Sequence, residues 1–245
     1  MLKRLFFASF IFFFLIVLPA KAEVLDSDKD GLSDVDEMYI YHTDPQLADT
    51  DGDGYLDNQE VSKGFSSLVA GKQLKEVDSD NDGLNDAQEL IVGSDLGKAD
   101  TDGDGYSDGL EVDRGFDPLN SSTEKIAKKI EVDLKTQTLV YYFGDKKMDE
   151  FLISSGIPSL PTPKGQFEIL KKKPIINYSG PGYYLPNTKW NLLFTYKGGL
   201  GVFVHGAYWH NNFGHPMSHG CVNVAYSNME DLYNFSEVGT KVVIR

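Results

Sequence analysis

Residues 49–60 read Asp-Thr-Asp-Gly-Asp-Gly-Tyr-Leu-Asp-Asn-Gln-Glu, and this stretch decides the fold of the first half of the chain. Carboxylates stand at positions 1, 3, 5, 9 and 12 of the stretch, and a glycine stands at position 6. Alternate side chains at positions 1, 3 and 5 can converge on one centre, while the glycine allows the carbonyl of position 7 to turn inward. Ca²⁺ takes about six to eight such oxygens. The stretch therefore predicts a calcium-binding loop.

The same spacing occurs four times, in loops 1 to 4, which begin at Asp26, Asp49, Asp78 and Asp100. An acidic linker without a specific ion does not explain why glycine falls at position 6 in every copy. We expect structural Ca²⁺ in each loop, bound by side chains and, at position 7, by a backbone carbonyl. The predicted ligands are Asp26, Asp28, Asp30, Leu32, Asp34, Glu37, Asp49, Asp51, Asp53, Tyr55, Asp57, Glu60, Asp78, Asp80, Asp82, Leu84, Asp86, Glu89, Asp100, Asp102, Asp104, Tyr106, Asp108 and Glu111.

The loops form two duplicated pairs. Loops 1 and 3 carry leucine at position 7, and loops 2 and 4 carry tyrosine. Only 10 or 11 residues separate the paired loops, which is too few for the two flanking helices of an EF-hand. We therefore predict one short helix per loop. With the Thr43-Asp44-Pro45 and Asp117-Pro118 turns, residues 24–120 resemble bacterial thrombospondin type 3-like calcium-binding repeats, which implies a calcium-rigidified spacer or adhesion stalk.

The distribution of charge changes close to the end of the repeats. The sequence has a net charge of −14, but residues 23–122 hold 27 acidic and 6 basic side chains, and residues 123–245 hold 10 acidic and 14 basic side chains. Such an asymmetry indicates two modules with different roles. The acidic module would repel phosphates, so no nucleic-acid partner is expected.

The first residues have the form of a secretory signal peptide. Lys3 and Arg4 precede an apolar run over residues 5–18, and Ala20-Lys21-Ala22 supplies small residues for cleavage before Glu23. The alternative is an uncleaved anchor, although the run is shorter than the roughly 20 residues that a bilayer helix needs. We expect residues 1–22 to be removed, an exported protein in the periplasm, cell wall or extracellular space, and no membrane span afterwards.

The second half reads as short strands. Period-two alternation over 129–134 and apolar, β-branched or aromatic runs over 138–143, 151–154, 165–170, 190–196, 201–205 and 241–244 predict strands. Ser227 and Glu230 have the spacing of a helix capping box before an apolar helix face. The predicted fold is multidomain, with a mainly β domain containing one or two helices behind a small calcium-loop and short-helix module.

Cys221 is the only cysteine, so it cannot form an intramolecular disulfide. An inert buried thiol is one interpretation. A nucleophile is the other, because a histidine near in space can activate a thiol. His205-Gly206 ends a predicted strand, and His219 lies two residues before Cys221 with Gly220 between them. Backbone amides beside Gly220 could form an oxyanion hole.

His205-Gly206 and Ser218-His219-Gly220-Cys221-Val222-Asn223 together resemble the signature of the L,D-transpeptidase (YkuD-type) catalytic domain. The Ile130-Glu131-Val132-Asp133-Leu134 opening and the Pro161-Thr162-Pro163-Lys164-Gly165 turn support the resemblance, which covers residues 127–245. Many members have arginine at the place of Asn223.

The resemblance implies a β-sandwich-like catalytic domain and a transferase that acts on peptidoglycan stem peptides. Cys221 would attack the third residue of a tetrapeptide and form a thioester, which an amine from a second stem or from a cell-wall or surface protein would resolve. His205 would move the proton and be oriented by the Gly206 carbonyl. His219 would shape the pocket, and the backbone amides of Gly220 and Cys221 would donate hydrogen bonds to the oxyanion. No cofactor would be needed for catalysis. Tyr208, Trp209, Ser218 and Asn223 are the candidate substrate contacts.

Two other functions remain open from the sequence. Water in place of the amine would make the protein an L,D-carboxypeptidase. A domain with little turnover would leave a calcium-dependent cell-wall-binding or adhesion protein.

Overall fold

The computed structural model describes residues 24–180 and 182–245. The predicted signal peptide lies outside the described residues. As predicted, each loop has one short helix, and this helix begins at the aspartate of position 9. These helices are α1 (Asp34–Asp36, continued by a wider turn over Glu37–Tyr41), α2 (Asp57–Ser62), α3 (Asp86–Val92) and α4 (Asp108–Arg114).

Neighbouring loops pack in pairs through one aspartate each. The Asp30 carboxylate of loop 1 accepts a hydrogen bond from the backbone amide of Asn58 in α2, with an N···O distance of 2.9 Å. The Asp82 carboxylate of loop 3 accepts the equivalent bond from the Gly109 amide in α4. Both amides lie in the first turn of a helix, where N–H groups have no partner within the helix. The position-5 aspartates of loops 1 and 3 therefore connect loop 1 to loop 2 and loop 3 to loop 4.

Residues 128–244 form a nine-stranded sheet. The strands are β1 (Lys128–Asp133), β2 (Thr138–Phe143), β3 (Lys146–Ser154), β4 (Gly165–Glu168), β5 (Lys171–Gly180), β6 (Tyr183–Lys197), β7 (Leu200–Ala207), β8 (Val222–Ala225) and β9 (Lys241–Ile244). Their order is β4-β9-β1-β2-β3-β8-β7-β6-β5. β1 pairs with β9, and β7 with β8, in parallel; the other pairs are antiparallel.

The sheet curves around one hydrophobic core. Phe167 of β4 packs edge-to-face on Phe194 of β6, with ring centroids 5.3 Å apart, so the two ends of the strand order approach each other. Helix α5 (Tyr226–Phe235) covers the core with Met229, Leu232 and Phe235. The mainly β, sandwich-like fold with few helices agrees with the sequence prediction.

Two local predictions need correction. Helix α5 begins at Tyr226, and the preceding Ala225 has no polar side-chain atom to cap it. Ser227 lies inside the helix, so the predicted capping box is wrong. Strand β5 was not predicted, because its start, Lys171-Lys172-Lys173-Pro174, lacks apolar alternation. It is an edge strand, where exposed lysines and proline are tolerated.

The second pair of loops packs against the sheet domain. Leu84, Val92 and Val112 belong to the same buried core as the strands. The buried Lys128 ammonium donates hydrogen bonds to the carbonyls of Asp113 in α4, at 2.5 Å, and Phe235 in α5, at 2.6 Å. Loops 3 and 4 are therefore built into the sheet domain, unlike the free spacer that the repeats imply. No helix within the described residues is long and apolar enough to cross a membrane.

Candidate active site

The parallel pairing of β7 and β8 brings the predicted active-site residues together. His205 lies opposite Asn223 in the register, and Cys221 immediately precedes β8. Side chains two residues apart in a strand point to the same face, so Cys221 and Asn223 share one face of the sheet. They line a cavity of about 250 Å³ with Tyr178, Tyr183, Leu185, His205, Trp209, Met217, Ser218 and His219.

The Cys221 side chain lines this cavity. Its sulfur accepts a hydrogen bond from the Phe203 amide at 3.5 Å. Its own carbonyl accepts hydrogen bonds from the Ser218 hydroxyl at 2.5 Å and the Thr162 hydroxyl at 3.4 Å, which fix the backbone. Burial raises the pKa of the Cys221 thiol to about 11, against the small lowering effect of the Phe203 amide. The cysteine is therefore a neutral thiol at neutral pH.

His205 is held in one tautomer. Its Nδ1 lies 2.9 Å from the Gly206 carbonyl oxygen, and because that oxygen can only accept, Nδ1 must carry the hydrogen. Burial lowers the pKa of His205 to about 4. The neutral ring thus keeps its Nε2 lone pair free to accept a proton. The Tyr178 ring stacks on the imidazole with centroids 4.8 Å apart and fixes its plane.

His219 and Gly220 immediately precede Cys221 in the chain, and the first is exposed while the second is buried. His219 is exposed at the cavity mouth and stacks on Tyr183, with centroids 5.1 Å apart and planes 15° from parallel. Gly220 has a φ of +124°, a conformation that favours glycine, as expected for the turn. However, its amide donates to the Ser218 hydroxyl at 3.1 Å. That amide is already engaged, which leaves the Cys221 amide as the remaining predicted oxyanion donor.

The four predicted substrate contacts divide into two groups. Trp209, Ser218 and Asn223 line the cavity. Tyr208 does not: its hydroxyl donates to the Pro186 carbonyl at 2.8 Å, and its ring packs edge-on against Trp209 and Tyr226. Tyr208 therefore fastens the loop after β7 to β6, a structural role that the sequence motif could not distinguish from substrate contact.

Four cavity residues were not predicted: Tyr178, Tyr183, Leu185 and Met217. The first three lie on the paired strands β5 and β6 and line the cavity from there. Tyr178 also donates a hydrogen bond to the buried Asn191 side chain at 2.9 Å. Two tyrosines five residues apart around the sequence Ser-Gly-Pro-Gly were the available signal, but only the strand pairing shows that they lie beside Cys221.

The carboxylates of each acidic loop cluster as the spacing predicts. The carboxylates at positions 1, 3 and 5 of each loop lie within 4.8 Å of one another: Asp26, Asp28 and Asp30; Asp49, Asp51 and Asp53; Asp78, Asp80 and Asp82; Asp100, Asp102 and Asp104. Within the described residues, one buried oxygen has no hydrogen-bond partner at position 3 and one at position 12 of each loop. These oxygens belong to Asp28, Glu37, Asp51, Glu60, Asp80, Glu89, Asp102 and Glu111. The donor set fits a hard divalent cation.

Family models match residues in both halves of the chain. Residues 127–244 match the family model of the L,D-transpeptidase catalytic domain, YkuD. Residues 26–48, 49–64, 78–95 and 100–121 match the bacterial TSP3 repeat. The chain combines a YkuD domain with bacterial TSP3 repeats.

Solved L,D-transpeptidases are similar to the YkuD half. The enzyme from Mycobacterium smegmatis is 26% identical over 49% of this chain and 59% of its own, with a TM-score of 0.45. A mutant of the Enterococcus faecium enzyme is 30% identical over 52% and 51% of the two chains, with a TM-score of 0.45. The isolated catalytic domain from E. faecium is 29% identical over 51% of this chain and all 100% of its own, with a TM-score of 0.43. This chain thus spans between half and two thirds of the two longer proteins, and no curated protein matches it.

The TSP3 loops depart from their predicted ligand set at position 9. The carboxylates of Asp34, Asp57, Asp86 and Asp108 each accept two hydrogen bonds from the residue at position 2 of the loop, one from its amide and one from its hydroxyl, at 2.6–2.9 Å. These oxygens close the loop onto the start of its helix. Both oxygens of each position-9 carboxylate are thus engaged in hydrogen bonds within the loop.

The position-12 glutamates of the TSP3 loops lack a counter-charge. Burial, followed by the nearby loop aspartates, raises the pKa of Glu37, Glu60 and Glu111 to about 7 and that of Glu89 to about 9. A carboxyl that is buried among like charges resists ionisation. A bound divalent cation would supply the missing positive charge at these four positions.

Proposed function

We propose that this protein is an exported peptidoglycan L,D-transpeptidase with Cys221 as nucleophile and His205 as proton carrier. One observation carries the proposal: Cys221 and His205 line the same cavity, and the bond to Gly206 leaves His205 Nε2 free. The match to the YkuD domain supplies the reaction class. The proposed division of the chain is residues 1–22 as signal peptide, 23–120 as calcium repeats and 127–245 as catalytic domain.

Acylation begins with the two groups neutral. Cys221 Sγ attacks the carbonyl carbon of the third residue of a tetrapeptide stem while its proton moves to His205 Nε2. The oxyanion receives a hydrogen bond from the Cys221 amide. The peptide bond to the terminal D-alanine then breaks, and the leaving amine takes the proton from His205. A thioester on Cys221 remains.

Transfer reverses the proton path. The amine of a second stem, or of a protein, attacks the thioester carbonyl and gives a proton to His205. The thiolate leaves and is reprotonated from His205, which restores the starting state and yields a 3→3 cross-link or an attached protein. Tyr178 holds the imidazole plane through both steps by stacking on it. Tyr183 and His219 border the entrance for substrate.

Structural calcium completes the proposal. Aspartates at positions 1, 3 and 5, the carbonyl at position 7 and the glutamate at position 12 of each loop would hold the ion. Ca²⁺ would supply the positive charge that the clustered carboxylates lack. It takes no part in the chemistry at Cys221.

The test is a muropeptide assay on the calcium-loaded protein without residues 1–22. Disaccharide-tetrapeptides should lose D-alanine and give cross-linked dimers, and the Cys221→Ser variant should give neither product. Cys221→Ser conserves size, and its melting temperature serves as the folding control. Turnover that persists in Cys221→Ser, or no product from the native protein, would refute the proposal. Tripeptide monomers without dimers would instead identify a carboxypeptidase.

A further inference from the structure

The two pairs of loops are duplicates, but their apolar residues have different surroundings. The leucine at position 7 is buried in loop 3, as Leu84, and only half-buried in loop 1, as Leu32. The valine that follows the position-12 glutamate is buried in loop 4, as Val112, and only half-buried in loop 2, as Val61. In the second pair these side chains join the core of the sheet domain, whereas no residue of the first pair within the described chain belongs to that core.

The helices of loops 1 and 3 differ in the same way. Counted from the position-12 glutamate, Tyr39 corresponds to Ile91, and Ile40 corresponds to Val92. Val92 is 1% exposed and Ile91 packs against the core, whereas Ile40 is 41% exposed and Tyr39 is 68% exposed. A wider turn of π type over Glu37–Tyr41 presents these two residues, and such turns often occur at functional sites. The first pair thus leaves uncovered the face that its duplicate buries.

The second pair shows which chemistry covers this face. The sheet domain brings apolar side chains and two lysines to it: Lys146 donates a hydrogen bond to the Val92 carbonyl at the end of α3, and Lys128 donates one to the Asp113 carbonyl in the last turn of α4. Carbonyls at the end of a helix have no partner within the helix and carry partial negative charge, so ammonium groups suit them. A partner for the corresponding face of the first pair should offer lysines beside apolar side chains.

The charge of the first pair also favours a basic partner. Residues 24–77 hold 13 acidic and 4 basic side chains, so this segment stays acidic when two Ca²⁺ are bound. Residues 123–245 have the opposite balance, with 14 basic and 10 acidic side chains. Complementary charges speed the encounter of two surfaces and fix their orientation. The sheet domain of a second copy of this chain therefore has the sign that the first pair requires.

The edge strand β5 presents lysines beside an apolar side chain. Lys171, Lys173 and Ile175 alternate along this strand, so they share one side of it. All three are exposed, and Ile175 is 56% exposed. Lysine and proline at a sheet edge oppose pairing with another strand, so an acidic face built from loops and helices fits this edge better than a strand does.

We propose that the uncovered face of the first pair, defined by Leu32, Tyr39, Ile40 and Val61, docks on the β5 edge of a second copy of this chain. Each copy carries both surfaces, so two copies can close into a symmetric dimer with two such contacts. The association depends on Ca²⁺ through the shape of loops 1 and 2. It does not depend on turnover at Cys221.

Sedimentation equilibrium of the calcium-loaded protein without residues 1–22 measures this association. The average mass should rise above that of the monomer with increasing concentration, and added salt should weaken the association. Lys173→Glu should raise the Kd by about tenfold or more, because like charges then meet at the contact. Lys135→Glu changes an exposed lysine in the turn between β1 and β2 and should leave the Kd unchanged. A protein that stays monomeric, or a Kd that Lys173→Glu does not raise, would overturn the proposal.

A second variant tests the other side of the contact. Tyr39→Ser removes an exposed ring and should raise the Kd by about tenfold. Val238→Ser, at an exposed residue in the turn before β9, is its control and should not change the Kd. Melting temperatures of all variants confirm that they fold.

Mixing the two weakened variants shows which surfaces meet. The Tyr39→Ser protein keeps an intact β5 edge, and the Lys173→Glu protein keeps an intact first pair. An equimolar mixture should therefore associate more tightly than either variant alone, because one native contact can form between unlike copies. A mixture that associates no more tightly than the separate variants would contradict docking between the first pair and β5.

Discussion

At the scale of single residues, the candidate active site holds its reactive pair in neutral form. Burial lifts the pKa of Cys221 to about 11 and lowers that of His205 to about 4. Between these values neither group is ionised, so no thiolate–imidazolium pair stands ready before substrate binds. The bond from Nδ1 of His205 to Gly206 leaves the Nε2 lone pair free, and deprotonation of the thiol then accompanies attack.

Alkylation of the thiol should follow this titration. Because the pKa is raised, the thiolate appears only as pH increases towards about 11, and at pH 7 it is roughly one part in 10⁴. The rate with iodoacetamide should therefore rise about tenfold per pH unit from pH 7 to pH 10. Cys221 is the only cysteine, so mass spectrometry of the intact protein measures this rate directly. A plateau below pH 8 would show a preformed ion pair and contradict this expectation.

Tyr178 should act by positioning the imidazole. Its ring stacks on His205, and its hydroxyl binds Asn191. Tyr178→Phe keeps the ring and should retain most of kcat, whereas Tyr178→Ala should lower kcat by about 10²-fold, because a small displacement of a catalytic group has a large effect on rate. The steady-state rates and melting temperatures of the two variants measure this. Equal losses of kcat in both variants would assign the effect to the hydroxyl.

At the scale of secondary-structure elements, the loops and the cavity differ in how far they could be predicted. The TSP3 loops depend on spacing within 12 residues, so one short helix per loop and each aspartate cluster could be predicted from the sequence. The cavity depends on pairing between distant strands. Tyr178 and Tyr183 reach Cys221 only because β5 and β6 fold beside β7, and a lysine-rich edge strand carries no local sign of that pairing. The hydrogen bonds of the position-9 aspartates could not be predicted either. Spacing alone does not distinguish an aspartate that binds a metal from one that accepts hydrogen bonds from its own loop.

The contact between paired loops makes a prediction for Gly109. A Cβ at this position would lie 2.5 Å from the Asp82 carbonyl oxygen and 3.0 Å from its carboxylate. Gly109→Ala should force loop 3 away from α4, cost about 1–3 kcal/mol and weaken calcium binding by the second pair. Calcium titration followed by calorimetry and by melting temperature measures both effects.

The first pair of loops supplies the matched control for Gly109. Asn58 occupies the equivalent position and makes the same backbone bond to Asp30. Asn58→Ala keeps that amide and already has room for a Cβ, so its calcium affinity and stability should stay close to the native values. Similar losses in Gly109→Ala and Asn58→Ala would show that the close approach at Gly109 is not the cause.

At the scale of the whole molecule, the two pairs of loops have different relations to the sheet domain. Leu84, Val92 and Val112, all from the second pair, lie in the same core as the strands. Lys128 and Lys146 of the sheet domain add hydrogen bonds to the carbonyls of Asp113 and Val92 in that pair. The first pair contributes none of the core residues. Loops 3 and 4 therefore supply part of the surface on which the catalytic half packs.

Removal of calcium should accordingly destabilise the catalytic half itself. Without the ion, like charges in loops 3 and 4 repel each other and withdraw Leu84, Val92 and Val112 from the core. Each such side chain stabilises by about 1.5–3 kcal/mol when fully buried, and each kcal/mol shifts a domain of this size by roughly 2–4 °C. The two tryptophans, Trp190 and Trp209, both lie in the catalytic half, so their fluorescence reports its unfolding alone. A chelator should lower that melting temperature by roughly 5–15 °C.

Two matched variants test the same point. Asp80→Asn in loop 3 should lower the tryptophan melting temperature in the presence of calcium, while Asp28→Asn in loop 1 should have little effect. If both variants leave the tryptophan transition unchanged, the second pair does not support the catalytic half.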